Sequence, residues 1–255
     1  MRVVNLDLDN TLIYSYKHEI GAEKIAVERY QGREISYITE KAYRLLKQIK
    51  EQFLVVPTTT RTKEQYDRID LKAGAFPYAL VCNGGVLLVK GERDEAWYRV
   101  SKELASEGMR ELHKARGLLE KEALRKFEIR LIDDLFLFTK CSDSPAAAVK
   151  LRRELDEKSV DVFCNGEKLY VVPKQLNKGT AVRRFREYIK AVEVIAAGDS
   201  EFDAPMADAA DIGIVPAGFC KKYSPAGELR EMKGEGIFSD EMLSWITEYG
   251  LKTNR

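Results

Sequence analysis

The stretch V-V-N-L-D-L-D-N-T-L, from Val3 to Leu12, decides how the rest of the chain is interpreted. A short apolar run this close to the N-terminus is typical of a buried strand of a parallel sheet, and D-N-T predicts a turn where the strand ends. Side chains at alternate strand positions share a face, so Asp7 and Asp9 can reach one site. Ligands of open α/β sheets bind at this end of the strands. The two acids therefore predict a functional site, although a single Asp here would more often only start a turn.

The composition restricts the class of partner. The chain has 255 residues, with 42 Lys and Arg against 41 Asp and Glu, and a formal net charge of +1. This balance predicts neither nucleic acid nor an anionic membrane as the partner, and a small ligand is expected instead. No run has the length of a membrane-spanning helix and no secretory leader is visible, which predicts a cytoplasmic protein. The oligomeric state is not indicated.

Cysteine and histidine are not expected to carry the chemistry. The four cysteines are widely spaced, a pattern that favours neither a zinc site nor a redox pair. The two histidines, His18 and His113, lie in polar surroundings with no ligand partners nearby. Carboxylates and lysine remain as the reactive groups.

A long link and a second strand with a polar end follow the first strand. Residues 13–38 leave directly from the two acids, so this link either overhangs them or forms a variable surface excursion. The stretch F-L-V-V-P-T-T-T-R, from Phe53 to Arg61, then repeats the plan of an apolar strand with polar residues at its end. Its threonines, ahead of a helix predicted over 63–72, can present hydroxyl and backbone N–H groups to a phosphate. Threonines in such positions are also common as helix caps.

The pattern changes after Asn83-Gly84-Gly85, a turn signal of the kind that can serve as a hinge. Trp97–Val100 is predicted to be a strand. Two hairpins are predicted, with turns at Asp133-Asp134 and at Asn165-Gly166. Together with the helices between them, these elements predict an inserted α+β domain over residues 84–172. The α/β core is predicted to consist of residues 1–83 and 173–255.

The alternation of predicted strands and helices resumes in the last third of the chain. Lys178 stands at the start of a predicted helix over 180–190, and the strand V-E-V-I-A-A ends in G-D-S-E-F-D, which places Asp199 and Asp203 after it. Four polar sets then stand at strand or helix ends that can converge on one crevice. Several carboxylates with only oxygen ligands suit a hard cation, with Mg²⁺ as the default. Mg²⁺, a lysine and threonine donors beside an aspartate predict phosphoryl transfer, in which a carboxylate can be the nucleophile.

With these motifs the chain resembles the haloacid-dehalogenase-like (HAD) phosphohydrolase superfamily over its whole length. D-L-D-N-T-L matches the first motif, Thr59 the second, Lys178 the third and G-D-S-E-F-D the fourth. The insertion between the second and third motifs resembles the cap of the sugar-phosphatase-like branch. The resemblance implies an α/β fold, a Rossmann-like parallel-sheet core with an inserted α+β cap domain. It also implies a Mg²⁺-dependent phosphatase for a small phosphorylated metabolite, with sugar phosphates as a candidate class.

The resemblance also implies roles for individual residues. Asp7 would attack phosphorus to give an aspartyl phosphate, and Asp9 would protonate the leaving oxygen and later take a proton from water. The remaining roles concern the metal and the phosphoryl group. Mg²⁺ would be held by Asp7, the Asp9 carbonyl and Asp199, with Asp203 ordering its shell or Lys178. Substrate binding is assigned to Thr59, Thr60, Arg61 and Lys178.

Two departures from the family pattern stand out. Relatives with this cap often carry Thr-Gly-Arg at the second motif, where this chain has Thr59-Thr60-Arg61, and Asn-Asp at the end of the fourth, where it has Phe202-Asp203. Phe202 puts a polar contact near the substrate in doubt without removing a metal ligand. Two alternatives remain open: a phosphomutase or phosphotransferase on the same fold, and a non-catalytic phosphate-binding regulatory module. An intact Asp9 argues against the module, because a pure binder has no need of it.

Overall fold

The computed structural model describes residues 1–253, which divide into two compact units. The first unit contains Met1–Gly84, Leu88–Glu92 and the chain from Lys178 onward, and the second contains Gly85–Leu87 and Arg93–Asn177. The predicted domain limits stay predictions.

The elements alternate along the chain as follows. The strands are β1 (Arg2–Leu6), β2 (Tyr14–Ser15), β3 (Lys24–Tyr30), β4 (Arg33–Thr39), β5 (Leu54–Pro57), β6 (Tyr78–Val81), β7 (Val86–Val89), β8 (Glu92–Arg93), β9 (Arg130–Ile132), β10 (Phe136–Lys140), β11 (Val160–Asn165), β12 (Lys168–Pro173), β13 (Glu193–Ala197), β14 (Ile212–Val215) and β15 (Arg230–Glu231). The helices are α1 (Glu40–Lys50), α2 (Lys63–Tyr66), α3 (Glu95–Ser106), α4 (Met109–Glu120), α5 (Ser144–Glu154), α6 (Lys178–Ile189), α7 (Ala204–Ala209), α8 (Phe219–Tyr223) and α9 (Phe238–Thr253).

A parallel sheet with the strand order β15-β14-β13-β1-β5 forms the centre of the first unit. Its opening strand lies between two neighbours, and in the register Leu6 stands beside both Ala197 and Pro57. Strands that are covered on both faces read as nearly continuous apolar runs, as β1 does. The predicted parallel sheet is confirmed. Because three strands end at the same level, the polar residues after them come out at one edge.

Helices α1 and α9 pack against each other and share the core of this sheet. Thr39 caps α1 by accepting a hydrogen bond from the Ala42 N–H, and Leu46 and Ile49 are buried one turn apart. This packing fixes the end of the long link, because Thr39 is also the last residue of β4.

The long link after the first strand folds into a small antiparallel sheet of its own, with the order β2-β4-β3. We call β3 and β4, residues 24–39, the link hairpin. Its two-residue turn is Gln31-Gly32, with positive φ at both residues (50° and 76°), the conformation that favours a tight hairpin. A register irregularity occurs on either side of Glu28.

The helix predicted over 63–72 is wrong in length. Helix α2 ends at Tyr66, because the residues after it pair with the link hairpin: Ile69 bridges Glu28, and the Asp70 N–H donates to the Val27 carbonyl over 2.8 Å. These tertiary hydrogen bonds replace the ones that another helical turn would have made.

The second unit contains α3 and an antiparallel sheet with the order β11-β12-β10-β9. The buried side chains of this sheet share one core with helices α4 and α5. Both predicted hairpins are confirmed, with positive φ at Asp133 and Asp134 in the first turn. The predicted strand Trp97–Val100 is wrong, since these residues belong to α3. Asp94 caps that helix by accepting from the Trp97 N–H at 2.8 Å. Within residues 1–253, no helix is both long enough and apolar enough to cross a membrane.

Candidate active site

A buried lysine joins two aspartates at the edge where the central strands end. Lys178 Nζ lies 2.6 Å from Asp7 Oδ1 and 2.6 Å from Asp203 Oδ1. Lys178 is 1% exposed and Asp203 is 0% exposed. A buried ammonium is tolerated only where carboxylates partner it, so this three-residue contact holds the start of α6 against the ends of β1 and β13.

Asp203 is fixed by hydrogen bonds from the loop that precedes it. Its Oδ2 accepts from the Ser200 N–H at 2.9 Å, the Ser200 hydroxyl at 2.7 Å and the Asp199 N–H at 3.2 Å. Ser200 and Asp203 form a capping box on the single turn Glu201–Asp203. One oxygen of Asp203 therefore orders the loop after β13 while the other holds Lys178.

Asp7, Asp199 and Asp203 form a cluster of acids. Carboxylate oxygens from the three residues lie within 4.8 Å of one another, and the Thr11 hydroxyl donates to Asp199 Oδ1 over 3.1 Å. When all three carboxylates are ionised, they outnumber the single ammonium of Lys178 and leave an excess of negative charge. The donors are all oxygens, the ligand type that Mg²⁺ prefers. The residues present therefore fit a hard divalent cation.

The acids also perturb one another electrostatically. Burial raises the pKa of Asp7 well above its usual range, and the neighbouring Asp203 raises it further while Lys178 opposes them. Burial, followed by Asp203, raises the pKa of Asp199 to about 7. Burial lowers the pKa of Lys178, but Asp203 and Asp7 outweigh it and the pKa lies above its ordinary value. Crowded acids of this kind are stabilised in their charged form by a cation.

At two glycines of the site, another part of the chain lies too close for a side chain to fit. A Cβ added to Gly179 would lie 2.2 Å from the carbonyl oxygen of Pro205, and one added to Gly198 would lie 2.3 Å from the Cβ of Asp203. Real Cβ atoms do not approach so closely, so both positions require glycine. Gly179 lets α6, which carries Lys178, lie against the start of α7.

The predicted threonines lie at the end of the neighbouring strand β5. Thr59 is fully buried; its N–H donates to the Leu80 carbonyl over 2.8 Å, and its carbonyl accepts from the Asn83 N–H over 2.9 Å. The Thr59 hydroxyl accepts from the Arg61 N–H over 3.2 Å. Thr60 is half-buried. Their phosphate-binding role stays a prediction.

Arg61 and Asp9 form a two-pronged ion pair. Arg61 Nε lies 2.7 Å from Asp9 Oδ2, and Arg61 Nη2 lies 2.7 Å from Asp9 Oδ1. The remaining arm of the guanidinium, Nη1, lies 2.9 Å from Glu28 Oε1. Arg61 was predicted to bind substrate; in the structure its guanidinium is bonded to these two acids, and its substrate role stays a prediction.

Glu28 is a residue that sequence reasoning missed. It lies in the link hairpin, and its side chain is 0% exposed. The signal that could have found the hairpin is the turn Gln31-Gly32 between two stretches rich in β-branched and aromatic residues. No signal in the sequence singled out Glu28 itself.

Comparisons with known proteins bear on this site. The family model described as haloacid dehalogenase-like hydrolase matches residues 92–216, a segment that contains Lys178, Asp199 and Asp203. This match supports the predicted membership of the haloacid dehalogenase-like superfamily. A relative described as phosphoglycolate phosphatase, from Methanopyrus kandleri, is 26% identical over 208 residues, which is 77% of this chain and 85% of that protein.

Solved structures of HAD hydrolases share the fold. The sucrose-phosphatase of Synechocystis sp. PCC6803, solved with sucrose and phosphate, matches with a TM-score of 0.70 at 14% identity and covers 98% of both chains. A subclass IIB sugar phosphatase matches with a TM-score of 0.62 at 12% identity, over 98% of this chain and 100% of the other. The predictions of the superfamily, of its α/β fold with a cap and of an enzyme of the phosphatase type are confirmed.

Proposed function

We propose that this HAD hydrolase is a Mg²⁺-dependent phosphomonoesterase that acts on a small phosphorylated metabolite through an aspartyl-phosphate intermediate. One observation carries the proposal: buried Lys178 bonds to both Asp7 and Asp203 inside a cluster of three carboxylates, beside a separately oriented Asp9. A site of this kind supplies a nucleophile, a cation position and a proton-transfer group within one unit.

Asp7 and Asp9 have different roles in the two halves of the reaction. An oxygen of Asp7 attacks phosphorus and the bond from phosphorus to the ester oxygen breaks, while Asp9 gives its proton to that leaving oxygen. In the second half, Asp9 takes a proton from a water molecule, whose oxygen attacks phosphorus and releases inorganic phosphate from Asp7.

The other groups hold the phosphoryl oxygens and their charge. Lys178 and the Thr59 hydroxyl are donors in this proposal, with the Thr60 N–H beside them. Asp7, Asp199 and the Asp9 carbonyl would hold Mg²⁺, with Asp203 ordering the loop and Lys178. When bound, Mg²⁺ supplies positive charge that neutralises phosphoryl oxygens in the transition state.

The substrate class is proposed from the relatives. The structural neighbours include a sucrose-phosphatase and a sugar phosphatase, which supports sugar phosphates, whereas the sequence relative carries the name of a phosphatase for a small phosphorylated acid. We place sugar phosphates first and include phosphoglycolate in the test.

The experiment compares wild type, Asp7→Asn and Asp67→Asn on a panel of phosphorylated sugars and acids with Mg²⁺, and measures released phosphate. Asp67 is an exposed acid of the same unit that pairs with Lys63 at the surface, so its substitution is the matched control. We expect Asp7→Asn to lose turnover by a factor of about 10³ or more, since the nucleophile is removed, and Asp67→Asn to retain it. Equal, slow release by wild type and Asp7→Asn would refute the proposal. If the phosphoryl group passed to an added sugar rather than to water, the enzyme would instead be a phosphotransferase.

A further inference from the structure

One buried acid of the link hairpin, Glu28, contacts Arg61 of the candidate site. Glu28 lies on β3, and its carboxylate accepts from three side chains: Arg61 at 2.9 Å and Arg68 at 3.2 Å on Oε1, and the Ser36 hydroxyl at 2.7 Å on Oε2. Burial raises the pKa of Glu28, but the hydrogen bonds from Arg61 and Ser36 outweigh it and the pKa lies below its ordinary value. Glu28 is therefore an ionised, fully partnered carboxylate at neutral pH.

A local irregularity of the strand pairing puts Glu28 in this place. Along β3 and β4 the register shifts between Ala26 and Glu28 and again between Glu28 and Arg29. Val27, which lies within the first shift, and Glu28 are both buried, at 3% and 2% exposure. Bulges of this kind re-aim a side chain and are frequent next to active sites.

The contact that Glu28 makes fixes the plane of a guanidinium. Nε and Nη2 of Arg61 both point at Asp9, and Nη1 points at Glu28. A planar fork held on two edges has little freedom to rotate. The Arg61 side chain is 13% exposed, whereas that of Asp9 is 47% exposed. Asp9 is thus held by Arg61 while nearly half of its side chain stays accessible.

We propose that Glu28 is a positioning residue for the reaction: from the link hairpin it holds Arg61, and Arg61 orients the Asp9 carboxylate for proton transfer to the leaving oxygen. This inference rests on the proposed function. Each oxygen of Asp9 accepts a hydrogen bond from Arg61, and this two-pronged contact sets the plane of the carboxylate. The long link, on this account, acts on catalysis without touching the substrate.

A positioning role of Glu28 predicts that the loss of activity in its variants depends on the leaving group of the substrate. Protonation by Asp9 matters most for a strongly basic alkoxide and little for 4-nitrophenolate, which leaves without help. A loosened Asp9 therefore lowers turnover of alkyl phosphates and spares 4-nitrophenyl phosphate. A merely structural role of Glu28 would lower both to the same extent.

The test measures kcat and KM for 4-nitrophenyl phosphate and for the best alkyl phosphate of the panel, with wild type, Glu28→Gln, Ser36→Ala and Glu34→Gln. Gln keeps the shape of Glu28 and removes its charge, and Ser36→Ala removes the hydrogen bond on Oε2. Glu34 lies in the same hairpin and pairs with exposed Arg29, so Glu34→Gln is the matched control. For Glu28→Gln we expect kcat on the alkyl phosphate to fall about tenfold, with KM unchanged and 4-nitrophenyl phosphate within about twofold of wild type. Ser36→Ala is expected to show a smaller loss of the same kind.

Each outcome decides the matter. Equal loss on both substrates, or no loss on either, would overturn the positioning role while leaving the phosphatase proposal intact. If Glu28→Gln fails to fold by far-ultraviolet circular dichroism, the ratio of the two substrates in Ser36→Ala decides in its place. A wild-type protein that hydrolyses neither substrate would refute the proposed function, and the positioning role would fall with it.

Discussion

Lys178 Nζ lies 2.6 Å from Asp7 Oδ1, although 171 residues separate the two in the sequence. The same ammonium contacts Asp203, so one side chain links the strand that opens the chain to the loop after β13. Both partners are buried, and water cannot replace the ion pairs if one is lost. Lys178 is therefore expected to matter for stability as well as for phosphate binding.

Replacing Lys178 with Met tests this expectation. Two buried carboxylates lose their shared cation, which is expected to destabilise the fold by roughly 3–5 kcal/mol. Urea unfolding gives the free energy of unfolding, and phosphate release gives the accompanying loss of activity. Lys174→Met is the control, since Lys174 pairs with Asp161 at the surface, where an ion pair contributes at most about 1 kcal/mol. Similar destabilisation by the two variants would contradict the prediction.

Added Mg²⁺ is expected to raise the melting temperature. A ligand that binds only the native state stabilises it by about 2.7 kcal/mol at a hundred times its Kd, which corresponds to roughly 5–10 °C for a chain of this size. Asp199→Asn should abolish the shift because a carboxylate of the cluster is lost, and Asp67→Asn should keep it. Differential scanning fluorimetry with and without Mg²⁺ measures both, and an unchanged shift in Asp199→Asn would exclude that residue as a ligand.

Alanine at Gly179 is expected to destabilise the protein by about 2–3 kcal/mol, because the new Cβ meets the backbone carbonyl of Pro205 and that carbonyl belongs to a packed helix start. Gly117→Ala is the matched substitution. Gly117 also lies in a helix, but nothing stands within 4 Å of its Cβ position, so the change should stabilise by up to about 1 kcal/mol. Urea midpoints of the two variants should move in opposite directions from that of wild type.

The contribution of Glu28 to stability depends on pH. Its pKa is lowered in the folded protein relative to its ordinary value of 4.5. A lowered carboxylate pKa stabilises the fold at pH values above the ordinary value, and this contribution is lost as pH falls through the folded pKa. The difference in melting temperature between wild type and Glu28→Gln should therefore be constant from pH 7 to about pH 5 and shrink below about pH 4.5. Glu34→Gln, measured alongside, should not show a gap that closes in this way.

Most of the candidate site could be read from the sequence because its residues stand directly after strands or at a helix start. Asp7 and Asp199 each follow an apolar run, and parallel pairing brings such ends together. Lys178 is predicted from its place as the third motif of the family pattern. Spacing alone does not indicate a contact between two residues that are 171 positions apart.

Glu28 was not predictable from the same reasoning. Regular alternation along K-I-A-V-E-R-Y puts Val27 and Glu28 on opposite faces, which predicts an exposed glutamate. The bulges that bury both residues depend on the pairing partner and on Arg61, none of which a local pattern contains. Contacts with distant residues also explain why α2 is shorter than predicted. Trp97, which was predicted to lie in a strand, lies in a helix capped by Asp94.

The turn of the link hairpin is a suitable position for attaching a label. Gln31 and Gly32 are exposed and adopt the left-handed backbone of a tight turn. Exposed loop tips of this kind accept inserted peptides best. A short fluorophore-binding tag placed between them would label a segment that is joined through Glu28 and Arg61 to Asp9.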